Sequence, residues 1–158
     1  MRIDPAHNLA VALLQPEIAP NTGNVGRLCV ATGAELHLVR PLGFVLDDKQ
    51  LRRSGMDYWA RLRLTVHDDD AALFAATASR RAWLFTSHGE TSLWDATFAP
   101  GDLLVFGNEG RGVTDTVRER FPIERRVRIP QVEGERCLNL STAVGVGLYE
   151  ALRRVTRA

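Results

Sequence analysis

Leu9-Ala10-Val11-Ala12-Leu13-Leu14 is an unbroken apolar run closed by Gln15-Pro16. A run of this length with no polar alternation reads as a strand buried on both faces of a parallel sheet. Such a strand needs a helical layer on each side, so the rest of the chain should alternate strands with helices.

It does. After Pro16 and Pro20, Asn21 is placed to cap a helix running to about Thr32, where Gly33 supplies the stop. Glu35 to Val39 reads as a second strand, closed by Arg40-Pro41. A charged, glycine-bearing connection from Leu42 to Trp59 follows, with a short helix and exit turn expected over 47–55; connections this long tend to be functional. Further strands are expected at Leu62–Val66, Arg81–Thr86, Asp102–Phe106 and Arg125–Ile129, and helices at Asp68–Ser79, Thr114–Arg120 and Leu138–Arg154. The expected fold is α/β, a mostly parallel sheet flanked by helices, in a single domain over 1–158.

Bulk composition narrows the class. The 158 residues are 45% hydrophobic and 25% charged, ordinary for a globular domain. Twenty Lys and Arg against nineteen Asp and Glu leave a net charge of +1, which neither announces nor excludes an RNA partner. Cys29 and Cys137 are the only cysteines and stand far apart, so no disulfide framework or zinc site is expected. No stretch has the length of a signal-peptide core or a membrane span, and a cytoplasmic protein is expected. His7, His37, His67 and His88 share no metal-ligand spacing, and no nucleophile elbow is present.

In open parallel sheets ligands bind at the carboxyl ends of the strands, so the loops there carry the chemistry. In Asn21-Thr22-Gly23-Asn24-Val25-Gly26-Arg27, positions 21, 24 and 27 recur at helical spacing; they form either a substrate-facing row or a cap plus a solvated face. Gly107-Asn108-Glu109-Gly110-Arg111-Gly112 is either a backbone cradle for a ligand or a flexible turn, and it matches neither the P-loop nor the dinucleotide fingerprint. Ile129-Pro130-Gln131 through Cys137-Leu138-Asn139-Leu140-Ser141 joins a strand end to a helix whose Gly145 and Gly147 imply close backbone packing. Arginines gather at 52–53, 61–63 and 125–128 with Tyr58 and Trp59 interleaved, suited either to an RNA backbone and a stacked base or simply to solvent.

Taken in order, several blocks resemble the SPOUT superfamily of RNA methyltransferases, and within it the minimal enzymes of the TrmL type that methylate a tRNA wobble ribose. The blocks are 15–24 (QPEIAPNTGN), 27–29 (RLC), 41–44 (PLGF), 51–58 (LRRSGMDY), the glycine loop around Glu109, and Asn139-Leu140-Ser141; together they span nearly the whole chain. The resemblance implies a C-terminal trefoil knot, S-adenosylmethionine as methyl donor without a metal, tRNA as substrate, and a homodimer formed through the last helix with Gly145, Gly147 and Tyr149. It assigns the donor site to Phe85, Thr86, Gly107, Asn108, Glu109, Gly112, Ile129, Cys137, Leu138, Asn139 and Ser141. The catalytic group is assigned to Arg27 with Asn21, Asn24 and Glu109, and RNA binding to Arg52, Arg53, Tyr58 and Arg61.

This chain departs from the family pattern in two places. The family's usual Gly-Pro-Glu-Thr-Arg-Gly is Gly107-Asn108-Glu109-Gly110-Arg111-Gly112 here, and a frequent serine is Cys137. The first change is nearer to relatives that methylate other tRNA or ribosomal RNA sites. Methylation at such a site, a non-catalytic RNA-binding protein on the same scaffold, and a nucleotide-dependent enzyme are the competing expectations.

Overall fold

The computed structural model describes residues 2–47, 49 and 57–156. Its strands are β1 (Ala10–Leu14), β2 (Glu35–Val39), β3 (Leu64–His67), β4 (Ala82–Phe85), β5 (Thr91–Ser92), β6 (Leu103–Phe106) and β7 (Arg126–Arg128). All pair in parallel, in the order β3-β2-β1-β6-β4-β7-β5. The helices are α1 (Ala19–Thr32), α2 (Asp70–Ala76), α3 (Asp115–Arg118) and α4 (Leu140–Thr156).

The opening run behaves as its composition requires. Every residue of β1 is buried, and alternate side chains enter different cores. Leu9, Val11 and Leu13 join Val25 and Cys29 of α1 and Val144 and Leu148 of α4. Ala10, Ala12 and Leu14 join Leu73 of α2 and Val117 of α3 on the other face. Period-two alternation is what sends one strand into two cores at once.

Helix α4 packs beside α1 and lies close on the sheet. A Cβ at Gly147 would sit 2.6 Å from the Phe85 ring, so Gly147 is committed to the core of its own chain rather than to a partner surface. Gly145 is looser, meeting only Leu28 at 4.0 Å, and Tyr149 is 52% exposed.

Several expected boundaries shift for identifiable reasons. Asn21 is not the cap of α1, which begins at Ala19 with Ile18 as its N-cap residue. Helix α2 starts after Asp69, whose side chain accepts the N–H of Ala72 at 2.8 Å, rather than at Asp68. The strand expected over Leu62–Val66 runs Leu64–His67, which turns Leu64 and Val66 to the core and His67 to the opposite face. Strand β5, two residues at the sheet edge, has too little sequence to show a pattern. The short helix expected over 47–55 lies largely outside the described residues. Among the described residues no helix is long and apolar enough to cross a membrane.

On the α2 face, His37 and His67 stack with centroids 5.2 Å apart, and His37 Nδ1 lies 2.9 Å from His67 Nε2. One hydrogen is shared between them. His37 Nε2 is buried without a hydrogen-bond partner, 3.6 Å from Glu35 Oε2, while Glu35 is held at 2.7 Å by Arg80. Burial pushes both imidazoles below the ordinary histidine range, and the charge of His67 adds to this at His37 while Glu35 opposes it. The folded protein therefore favours neutral rings, and their stabilisation is complete above the unfolded pKa of about 6.5 and is lost as pH falls below it. Thermal melts between pH 7.5 and 5.0 should show Tm falling in this window, and a His37→Leu/His67→Leu variant should lose much less; equal slopes would remove the pair as the cause.

Candidate active site

The strand order reverses between β1 and β6, and their carboxyl ends lie side by side, with Leu13 opposite Phe106. This is where an open parallel sheet leaves a crevice. Both chains turn sharply as they leave it. Gln15 adopts a φ of 45°, a region a non-glycine residue occupies only when its surroundings hold it there. Its N–H donates to Val39 O at 3.0 Å, and its carbonyl accepts Asn108 Nδ2 at 3.2 Å.

After β6, a Cβ at Gly107 would fall 2.4 Å from the backbone of Gly112, so the loop closes only with glycine there. Asn108 and Gly112 exchange backbone hydrogen bonds of 3.0 Å, which seals the loop. Inside it the buried Asn108 accepts the N–H groups of Gly110 (2.9 Å) and Arg111 (2.7 Å) on Oδ1, and donates from Nδ2 to Glu17 Oε1 (2.8 Å). The glycine loop is thus a fixed backbone cradle.

Helix α1 begins without a side-chain cap of its own. Glu109 supplies one from the other side of the crevice. Its Oε2 accepts Glu17 N–H at 2.8 Å, and its Oε1 accepts Ile18 N–H at 3.1 Å and Asn21 Nδ2 at 3.2 Å. A carboxylate at the positive end of a helix satisfies orphan donors and the dipole together. Burial alone would raise the Glu109 carboxyl, but the N–H groups of Glu17, Glu109 itself and Ile18, with the Asn21 amide, outweigh it and hold it below the usual carboxylate range.

Asn21 carries the link onward. Its Oδ1 accepts Asn139 Nδ2 at 3.0 Å, while Asn139 Oδ1 accepts Ser141 N (2.9 Å), Ser141 Oγ (2.7 Å) and Thr142 N (3.3 Å) at the start of α4. One hydrogen-bonded chain therefore joins the glycine loop, α1 and α4.

These loops surround a cavity of about 650 Å³. Its walls are apolar at Phe85, Phe106, Ile129, Leu138 and Leu140 and polar at Thr86, Asn108, Glu109 and Asn139. That size and mixture suit a ligand of a few dozen atoms. Among the described residues no three His, Cys, Asp or Glu side chains cluster as metal ligands would.

The SpoU rRNA Methylase family matches residues 8–149. The chain belongs to this family. It is 51% identical over 91% of its length to a tRNA (cytidine(34)-2'-O)-methyltransferase of Burkholderia ambifaria, covering 94% of that protein. It is 42% identical over 93% of its length to the protein of the same name from Escherichia coli K12, again covering 94% of it. Among solved structures, one from work on the 2-OH methylation of C/U34 on tRNA superimposes with a TM-score of 0.89 at 46% identity, covering 98% of this chain and 100% of that one. An RNA methyltransferase structure from Bacillus anthracis, described there as putative, has a TM-score of 0.89 at 38% identity and covers 94% of this chain and 95% of that one.

Of the residues that the SPOUT resemblance assigned to a donor site, all but Ser141 line this cavity, and Ser141 stands just behind it on Asn139. The suggested catalytic residues divide. Asn21 and Glu109 line the cavity, whereas Asn24 and Arg27 lie on the exposed side of α1, outside its lining. The Arg27 guanidinium sits 5.9 Å from the centre of the Tyr58 ring.

Tyr58 requires a correction. Its ring is buried and its hydroxyl donates to Gly23 O at 2.8 Å, so it braces α1 instead of offering a face to a base. Arg61 is exposed at the end of the 3₁₀ turn Asp57–Arg61, and Arg52 and Arg53 lie outside the described residues. His88, Arg111, Arg118, Arg128 and Gln131 also line the cavity. Arg111 and Gln131 stand inside loops that the sequence singled out and Arg128 in an arginine group suited to RNA, whereas His88 and Arg118 carry no signal in the sequence and are brought there only by folding.

Replacing Glu109 tests the borrowed cap. Glu109→Gln sets an amide N–H against backbone N–H donors and should cost about 0.5–2 kcal/mol in chemical denaturation. Because the carboxyl is lowered on folding, its stabilisation is present above the unfolded pKa of about 4.3 and lost as pH falls through the folded value. The wild type's advantage over the variant should therefore shrink progressively as pH falls below about 4.3; a gap that does not shrink below that pH would contradict the cap.

Proposed function

We propose that this protein transfers a methyl group from S-adenosylmethionine to the ribose 2'-hydroxyl of nucleotide 34 of a tRNA, acting as a cytoplasmic homodimer. The observation that carries the reading is the convergence of the expected donor-site residues on one cavity, in a chain that aligns end to end with relatives named for this activity.

The residues present fit the donor. Phe85, Leu138 and Leu140 offer apolar walls for a purine and a thioether, and the rigid 107–112 loop presents peptide groups at close range. The 129–139 segment, which the family threads as part of its knot, closes the remaining side. Bound there, S-adenosylmethionine would supply a sulfonium methyl group for in-line displacement, its carbon–sulfur bond breaking as the bond to the ribose 2'-oxygen forms and neutral S-adenosylhomocysteine leaving.

Alignment carries most of the catalysis, since an oriented pair can recover roughly 7–11 kcal/mol of barrier. Arg27 holds the ribose and its adjacent phosphate. A guanidinium is never deprotonated at neutral pH, so the proton passes to phosphate or water. Glu109, with its carboxylate engaged by α1, sets the helix that bears Asn24 and Arg27 and is not the base.

Arg27 and Asn24 are exposed on α1, the helix that packs beside α4 with its exposed Tyr149. Pairing of two chains through α4 would bring this face of one against the cavity of the other, completing each site.

Incubation with unmodified tRNA and labelled donor, followed by nucleoside mass spectrometry, should yield 2'-O-methylcytidine or 2'-O-methyluridine at position 34; a methyl group elsewhere, or none, overturns the reading. Arg27→Ala should keep donor binding and lose transfer. Mixed dimers of Arg27→Ala with Cys137→Trp, which fills the cavity, should regain transfer if each site spans both chains and stay inactive if it does not.

A thiol probe tests the donor site without turnover. Burial pushes Cys29 up to about 12, whereas Cys137 is exposed at the cavity. A disulfide reagent at pH 8 should label Cys137 alone, and S-adenosylhomocysteine should slow the labelling where ATP and NAD do not. Equal protection by ATP or NAD would favour a nucleotide-dependent enzyme.

A further inference from the structure

Charge at the cavity is out of balance for the donor alone. The acidic side chains there are Glu109 and Asp115, and the basic ones, apart from His88, are Arg111, Arg118 and Arg128. Glu109 is offset by the N-terminus of α1, and Asp115 is paired with Arg118 at 2.7 Å. Arg111 and Arg128 remain. Both are exposed, and neither side chain makes a hydrogen bond or ion pair among the described residues. Their neighbours are engaged: Arg125 donates to Ala82 O at 3.4 Å, and Arg126 donates to Phe121 O at 2.8 Å and faces Glu90 at 3.8 Å.

S-adenosylmethionine carries a sulfonium, an ammonium and one carboxylate, a net positive charge. Two unbalanced guanidinium groups at its entrance repel it on balance and attract a polyanion. We propose that Arg111 and Arg128 form a phosphate clamp at the cavity mouth, gripping the RNA backbone on either side of the ribose to be methylated. This inference rests on the tRNA reading above; of the arginine groups expected to meet RNA, at 52–53, 61–63 and 125–128, it selects Arg128 and adds Arg111 from the glycine loop.

The two arginines are held on stiff backbone. The Arg111 N–H donates to Asn108 Oδ1 at 2.7 Å within the sealed glycine loop. Arg128 ends β7, directly after the fully buried Val127, so strand alternation turns it outward. Gly89 lets its own loop close over that strand, since a Cβ there would come within 2.6 Å of Val127 and 2.8 Å of Arg128 backbone. Guanidinium groups on such supports lose little freedom on binding and match phosphate in a bidentate manner.

The same groups could instead hold the donor's carboxylate, and the experiment separates the two. Filter binding of unmodified tRNA across a salt series, and calorimetry with S-adenosylhomocysteine, would be run on Arg111→Gln, Arg128→Gln, the double variant and an Arg2→Gln control. Each cavity variant should weaken tRNA binding about three- to tenfold near 0.15 M salt and lower the log–log salt slope by about 0.7–0.9, with the double variant losing about twice that. S-adenosylhomocysteine affinity should hold, KM for tRNA should rise more than kcat falls, and the control should match the wild type. Wild-type tRNA affinity and slope in the double variant would overturn the clamp, as would weakened S-adenosylhomocysteine binding with tRNA binding intact. A wild-type protein that fails to bind tRNA at all would overturn the tRNA reading and the clamp with it.

Discussion

A helix that starts with Ala19 and Pro20 behind an isoleucine N-cap has no side-chain cap of its own, and α1 is such a helix. The N–H groups at its entrance, on Glu17 and Ile18, are answered by Glu109, a residue more than ninety positions away in the loop beyond the carboxyl end of β6. Much of the site follows from that one contact. It joins the ends of β1 and β6 across the point where the strand order reverses, and it fixes the direction in which α1 leaves the sheet. Through Asn21 and Asn139 it also ties in the first turn of α4. A buried network whose members each satisfy another is rigid, because any single loosening leaves an unpaired polar group.

Rigidity of this kind lets a small domain hold a large cleft open. The 107–112 loop is closed by backbone bonds and by an asparagine that uses both ends of its amide, so little of it is free to collapse inward. Asn108 stands where close family members commonly have proline. Where a proline would stiffen the loop by restricting φ, this asparagine stiffens it by hydrogen bonds, two inward to the loop and two across to the β1 exit. Behind the cavity, Gly147 brings α4 within touching distance of Phe85, so the wall is set by tight packing of ring against backbone.

The division of the site between its parts was only partly readable beforehand. The cavity lining followed from motifs that are local, because each loop sits directly after a strand and so must open on the same edge of the sheet. Side-chain direction did not follow. Asn21, Asn24 and Arg27 recur every third residue, yet a helix turns 3.6 residues per revolution, so the row winds around α1 from the buried network at Asn21 to solvent at Arg27. Tyr58 looked like a stacking platform among arginines; its hydroxyl instead found the carbonyl of Gly23, which no pattern in either segment announces.

The sequence by itself determined the architecture and the family. A doubly buried run at 9–14, strand and helix signals in alternation, and ordered motif blocks are properties of neighbouring residues, and secondary structure and layer count depend mainly on those. What only the tertiary structure decided is which groups meet: that Glu109 caps α1, that Asn139 answers Asn21, that His37 and His67 share a hydrogen, and that Arg111 and Arg128 stand unbalanced over one cavity. The reason is that hydrogen bonds and ion pairs require approach within a few ångströms. In a parallel sheet, each strand's neighbour comes from a distant part of the chain, so those distances are set by the crossovers and the register of pairing.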